Sequence, residues 1–533
     1  MRKRYLALLV GSLSLVGGCD NFLDVNTNPD APETVAANLY LPPMLHWLVT
    51  APQLDGRFVA RYTQQLALSN LTGTLPSTWD RMGYDPGSDN AGEQWRTVYW
   101  LFGQNLVDMM NKAQAEQRWD VLGVGYVLKA WGWQALTSLH GDIIIKQAID
   151  PTRFSFDYDS QEYAYQEVHR LLDSAIVYLQ RSDGAVDASF LSRGDKIYNG
   201  DRTKWLKFAY GLKAMSLNHF SNKASYKPAE VVALVDQSFT SNADDALLAW
   251  PGVNGTVDLN FLGPSRQNFG SYRQTRFILG LMDSTQFGAV DPRLPRMLVP
   301  SRDGVMRGTD PNVPGVGTVA DSMRQVPNPW GFLFANTQST RGERWGRYLF
   351  DDKVRMPAMT YAQLQFVKAE AAYRMGDKAT ALTAYRNGIS AHIDFVNARN
   401  AEATQGPWAA TQITAAEKAA FLADPRVVPT SPDRLTLTHI MSQKYIAQWA
   451  WAHNELWMDM RRYHYTDIDP ASGKQVFPGF AIPTNLYADN GGKPVYRLRP
   501  RYNSEYVWNV PALEKIGGMA ADYHTKPLWI LEP

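Results

Sequence analysis

The only cysteine in this 533-residue chain is Cys19, and that single thiol limits how the rest can fold. No disulfide can close within the chain, and neither a thiolate metal site nor a second sulfur nucleophile is available, so stability must come from buried apolar surface. Ahead of Cys19, the basic residues Arg2, Lys3 and Arg4 precede an apolar run from Leu6 to Val16. The run suits an export signal and is well short of the roughly 20 residues that span a bilayer. Removing residues 1–18 takes away three basic residues and leaves 50 basic against 52 acidic, a net charge of −2. So even a balance gives no electrostatic reason to expect nucleic acid as a partner. The remaining 515 residues exceed ordinary single-domain size and can bury a large core. Seventeen tryptophans and 26 tyrosines suit either helix–helix contacts or a ligand surface built from flat rings.

Helical periodicity dominates the first half of the chain. Residues 1–18 read as the signal, and residues 19–35 as an acidic, turn-rich tether. An N-terminal helical part is expected over 36–241. Gln94 to Ala113 and Val121 to Leu139 read as long helices, the second stopping at His140-Gly141-Asp142. Asp159 followed by Glu162 has the spacing of a capping box before the stripe Val168, Leu171, Leu172, Ala175. Asp201 is placed to cap the next helix, and Pro228 to open another. From 242 to 357, Gly and Pro recur every few residues, which predicts a loop-rich insertion with little β structure. Helices return over 358–463. Tyr361 to Gly376 and Asp377 to Asn397 look like a tetratricopeptide hairpin, and one helix is expected from about Leu435 to Tyr463. Residues 464–533 read as an irregular C-terminal segment.

Two resemblances bear on function. Val16-Gly17-Gly18-Cys19 resembles the lipobox of bacterial lipoproteins, which implies cleavage before Cys19 and lipidation of its thiol. One acyl chain holds a protein only marginally, and two or more make the anchor stable. An ordered set of segments resembles the SusD/RagB family: Phe22 to Asn26, Ala130 to Ala148, Tyr198-Asn199-Gly200-Asp201 with Lys204 to Ala209, Phe366 to Ala371, Ile440 to Arg462, and Arg501-Tyr502 with Ser504, Glu505, Tyr506 and Asn509. His140 stands where tyrosine is common in the family. The resemblance implies a mostly α-helical protein in which tetratricopeptide-like hairpins form an α-α superhelix. It also implies a surface-exposed outer-membrane lipoprotein that captures glycans, or in some members peptides, as the lid of a SusC-like TonB-dependent receptor. A helical-repeat scaffold that binds only proteins is the alternative.

Nothing in the sequence supports catalysis. The nine histidines are scattered without metal spacing, and no nucleophile elbow or phosphate loop follows a strand pattern, so no enzyme activity, cofactor or metal is expected. Asp85, Asp89, Asn90 and Glu93 carry oxygen ligands but lack EF-hand spacing, and read as a solvated turn. Asp459, Arg461 and Arg462 read as the C-terminus of a helix, where cations offset the dipole. Trp131, Trp133, Trp205, Trp449 and Trp451 sit on helical stripes and are expected in the core. The ligand surface is expected on two loop segments that mix flat rings with polar groups. Trp79, Arg81 and Tyr84 lie in one, and Trp330, Arg344 and Trp345 in the other.

Overall fold

Most long periodic stretches form helices that pack on a sequence neighbour. The computed structural model describes residues 35–68, 77–253, 255–311, 323–331, 347–403 and 410–533. The principal helices are α1 (Leu41–Tyr62), α2 (Gly103–Ala115), α3 (Trp119–His140), α4 (Gln161–Gln180), α5 (Arg202–Asn218), α6 (Pro228–Asp236), α7 (Tyr361–Arg374), α8 (Lys378–Glu402), α9 (Leu437–Gln448) and α10 (His453–Arg462). Successive helices from α2 to α8 pack on one another, and α7 also meets α9. The fold is mostly α, with tetratricopeptide-like hairpins as expected. Short strands β1 (Leu66–Leu68), β2 (Ala246–Leu248), β3 (Tyr272–Gln274) and β4 (Met356–Met359) pair antiparallel as β1–β3 and β2–β4. Leu66 stands opposite Gln274, and Ala246 opposite Met359.

Local chemistry explains most boundaries. The Asp201 carboxylate accepts from the N–H of Thr203 at 2.9 Å, and that of Asp377 from Thr380 at 3.0 Å, each cap worth about 1 kcal/mol. Pro228 opens α6 as read. Gly376 turns the α7–α8 hairpin at φ +87°, and a Cβ on Gly388 would meet the Phe366 ring at 2.8 Å. Helix α7 separates two cores: Leu364, Val367 and Ala371 join the N-terminal one, whereas Phe366, Ala369 and Ala372 join the other. A helix apolar on both faces belongs inside, and α7 is almost wholly buried.

Three local readings are corrected. Ser160, not Asp159, caps α4 through the N–H of Tyr163, while Asp159 accepts from the N–H groups of Ile145 and Lys146. The stretch expected as one helix from Gln94 contains the α-turn Glu93–Arg96 and the π-turn Thr97–Phe102, and Gly103 at φ +34° leads into α2. The stretch expected as one helix from Leu435 is two, α9 and α10, broken at Ala450 with φ +72°. Gln65 holds that break, its backbone carbonyl accepting from the Trp449 indole at 3.0 Å and its side chain from Ala450 N–H at 3.1 Å. As read, Arg461 and Arg462 lie in the last turn of a helix, and with Asp459 they are also buried there. Arg462 donates to Glu370 at 2.7 and 2.9 Å and to Asp459 at 2.6 Å, and Lys444 donates to Asp459 at 2.8 Å. Burial alone would raise the Glu370 carboxyl, yet Arg462 and Lys444 hold it well below the usual carboxylate range.

Candidate functional site

The π-turn after α1 sets up the main cavity. Asp55, buried in α1, accepts from the N–H groups of Glu93 at 2.9 Å and Gln94 at 2.8 Å, anchoring the turn's start. Burial pushes its carboxyl up to about 6 against those hydrogen bonds. Trp100, within the π-turn, faces away from the core, and Arg96 lies over its ring at 4.3 Å. A second π-turn, Tyr502–Tyr506, precedes Trp508. Between them is a cavity of about 510 Å³. Trp100 is 64% exposed, Trp508 76% and Phe154 93%, and all three line this cavity. Its polar lining is held in place. Glu505 accepts from the Tyr158 hydroxyl at 2.6 Å and from Asn509 at 2.8 Å, and Asn509 Oδ1 accepts from Phe156 N–H at 3.0 Å.

Arg501 lines both this cavity and a smaller one of about 260 Å³. The smaller is walled by Trp79, Tyr84, Asp85, Arg499, Tyr502 and Tyr506. Tyr502 and Tyr506 stack at 5.8 Å and 16°, and Arg499 lies over Tyr84 at 4.4 Å. Burial raises the Tyr84 phenol to about 12, and its hydroxyl donates to Asp489 at 2.9 Å.

The expected ligand residues divide. Trp79 and Tyr84 come together in the smaller cavity, but Trp79 is only 4% exposed, its ring against Phe58 and Tyr62 and its indole donating to Asp85 at 2.7 Å. Arg81 lines neither cavity and donates to backbone carbonyls of Asn485 and Leu486. Trp330 is 2% exposed, with its indole donating to the Leu262 carbonyl at 2.9 Å. The expected open stacking faces at Trp79 and Trp330 are therefore corrected, because both rings fill core and both N–H groups are satisfied inside. Arg344, Trp345 and Cys19 lie outside the described residues. The oxygen-bearing turn is held by protein partners: Asp85 accepts from Trp79 and Asn90, and Asp89 from Asn503 and Arg501. Of the helical tryptophans, Trp133, Trp205, Trp449 and Trp451 are core, whereas Trp131 is half-buried.

Sequence reasoning missed Trp100, Phe154 and Trp508. One signal was present for Trp100: it follows Trp95 by five residues, which on an α-helix turns it roughly 140° away from that buried ring.

Stacked helical hairpins with little sheet define a mostly α, tetratricopeptide-like fold. The chain belongs to the SusD-like family described as "Starch-binding associating with outer membrane", which matches residues 49–486. A SusD/RagB family protein from Bacteroides thetaiotaomicron has the same fold at 20% identity, covering 93% of this chain and 99% of that one with a TM-score of 0.66. A SusD homolog from Bacteroides fragilis is 18% identical over 93% of this chain and 100% of its own, with a TM-score of 0.69. A chitin-binding SusD homolog from Flavobacterium johnsoniae is 19% identical over 93% and 98%, with a TM-score of 0.67. No curated protein matches the chain. No helix among the described residues is long and apolar enough to cross a membrane.

Proposed function

We propose that this protein is a surface-exposed outer-membrane lipoprotein that captures glycans and passes them, as a lid, to a TonB-dependent transporter. The observation that carries the capture step is the set of open rings, Trp100, Phe154 and Trp508, around one cavity. Sugars rest their C–H faces on flat rings while their hydroxyls bond to neighbouring polar groups. Arg96, Ser504 and Arg501 supply such groups, and the smaller cavity with Tyr84 and Arg499 forms an adjoining subsite. The family's description as starch-binding and outer-membrane-associated, together with a chitin-binding relative, supports a glycan as the ligand. The Cys19 lipobox supports the anchor. A lid tethered to the same membrane gains effective concentration over its barrel, so weak contacts suffice for the partnership.

Affinity electrophoresis of the chain from residue 20 onward, against soluble starch, chitin oligosaccharides and other polysaccharides, tests the capture step. Retardation by a glycan that is lost in Trp100→Ala and Trp508→Ala is the expected result. No retardation by any glycan, with a protein recovered from detergent-solubilised membranes instead, would favour the scaffold reading.

A further inference from the structure

A third cavity, of about 270 Å³, lies among α2, α3 and α4 and shares only Ala148 and Ile149 with the wall of the main one. Phe102, Leu106, Met110, Leu122, Trp133 and Leu171 make it predominantly apolar. Protein interiors leave few voids larger than a water molecule. A dry cavity of about 150 Å³ admits benzene, so this one has room for an apolar body larger than a single ring.

Two cations on its lining differ in their partners. Arg170 donates twice to Glu167, at 2.7 Å each, and that pair is neutral. Lys129 is half-buried and makes no hydrogen bond or ion pair among the described residues. Burial lowers its ammonium's pKa, and Glu167, already held by Arg170, opposes this only in part. An unpaired, half-buried ammonium beside an apolar hole is matched by one oxyanion carried on an apolar body.

We infer that this cavity binds a free medium-chain fatty acid, its tail among Phe102, Leu106, Met110 and Leu122 and its carboxylate on the Lys129 ammonium. Acyl chains of a lipid anchor do not fit, because they are joined as esters or amides and present no carboxylate. A fatty alcohol fills the hole without meeting the cation.

The test titrates the chain from residue 20 onward, which keeps every described residue, with decanoate, decanol and decyltrimethylammonium below their micelle concentrations. Calorimetry near neutral pH is expected to show decanoate binding at least about tenfold tighter than decanol, with the cation weakest, a tenfold step being about 1.4 kcal/mol. Lys129→Met should bring decanoate to the level of decanol, Lys129→Arg should keep the preference, and glycan retardation should be unchanged in both. Decanoate binding no tighter than decanol, binding unaltered in Lys129→Met, or binding of neither ligand overturns the inference. If Lys129→Met does not fold by circular dichroism, the ranking of the three ligands on the unaltered chain decides alone.

Discussion

Trp330 and Trp508 both lie outside the principal helices, yet one is sealed in the core and the other stands in water. Trp330 has an internal acceptor for its indole N–H and a core around its ring. Trp508 follows a π-turn and is left uncovered. The contrast teaches that a ring outside the principal helices is not thereby a ligand ring. What decides exposure is whether the ring's polar edge is satisfied inside and how the preceding turn directs its Cβ.

Substitutions should separate the two rings cleanly. Trp330→Ala removes a buried ring and its hydrogen bond, and is expected to cost about 3–5 kcal/mol in chemical denaturation. A loss below about 1 kcal/mol would mean that Trp330 is not core, and the contrast would fail.

Next in size is a pH effect at the anchor of the Trp100 turn. The folded Asp55 carboxyl holds its proton up to about 6, whereas an unfolded one releases it near 3.8. The folded state therefore binds more protons across that window, and stability falls as pH rises through it, by up to about 3 kcal/mol. Asp55→Asn, which cannot ionise, should show a flatter stability–pH curve between about 4 and 6. An identical slope in the variant would assign the titration elsewhere.

For the exposed rings the signs reverse. Trp508→Ala and Trp100→Ala should leave stability within about 0.5 kcal/mol. Their glycan affinity should fall by about 1–3 kcal/mol by calorimetry, the range for losing an aromatic stacking platform. The smallest effect is expected at Arg96→Gln, which removes the cation over Trp100 and should weaken binding by about 0.5–1 kcal/mol. A larger loss there than at Trp100 would make the guanidinium, rather than the ring, the main contact.

The helical frame was legible because its signals are local. Asp201, Asp377 and Pro228 mark helix starts through side-chain or ring geometry that needs no distant partner. The break at Ala450 was not legible, since Gln65, far away in sequence, holds it. One tetratricopeptide-like hairpin was readable from small residues and Gly376, and the superhelix was implied by the family resemblance, whereas the nature of each cavity depended on tertiary contacts. Tyr84 and Trp79 line the smaller cavity, and the open rings of the larger one were missed. Trp100 sits in a stretch whose apolar period reads as ordinary helix, and its five-residue offset from Trp95, which puts it on the other face, is the one local sign of its exposure. Trp508 and Phe154 lie in segments with no periodicity to read. The buried partners of Arg462 were likewise hidden, because Glu370 belongs to a different hairpin.

Both proposed glycan cavities are closed by segments from opposite ends of the chain. Tyr84 reaches Asp489 across 405 positions, and Asp89 meets the N–H of Asn503 across 414. Chains emerge from their N-terminus, and contacts this distant in sequence form slowly. The helical stack can therefore assemble while its binding face is still unfinished, and the cavities are completed only when the final stretch arrives. A product cut short before Arg499 would retain every principal helix yet lack Arg499, Arg501, Tyr502, Tyr506 and Trp508 from its walls. Such a fragment could look well folded by helical content while having no finished place to hold a sugar, so ligand capture itself reports that the whole chain has been made.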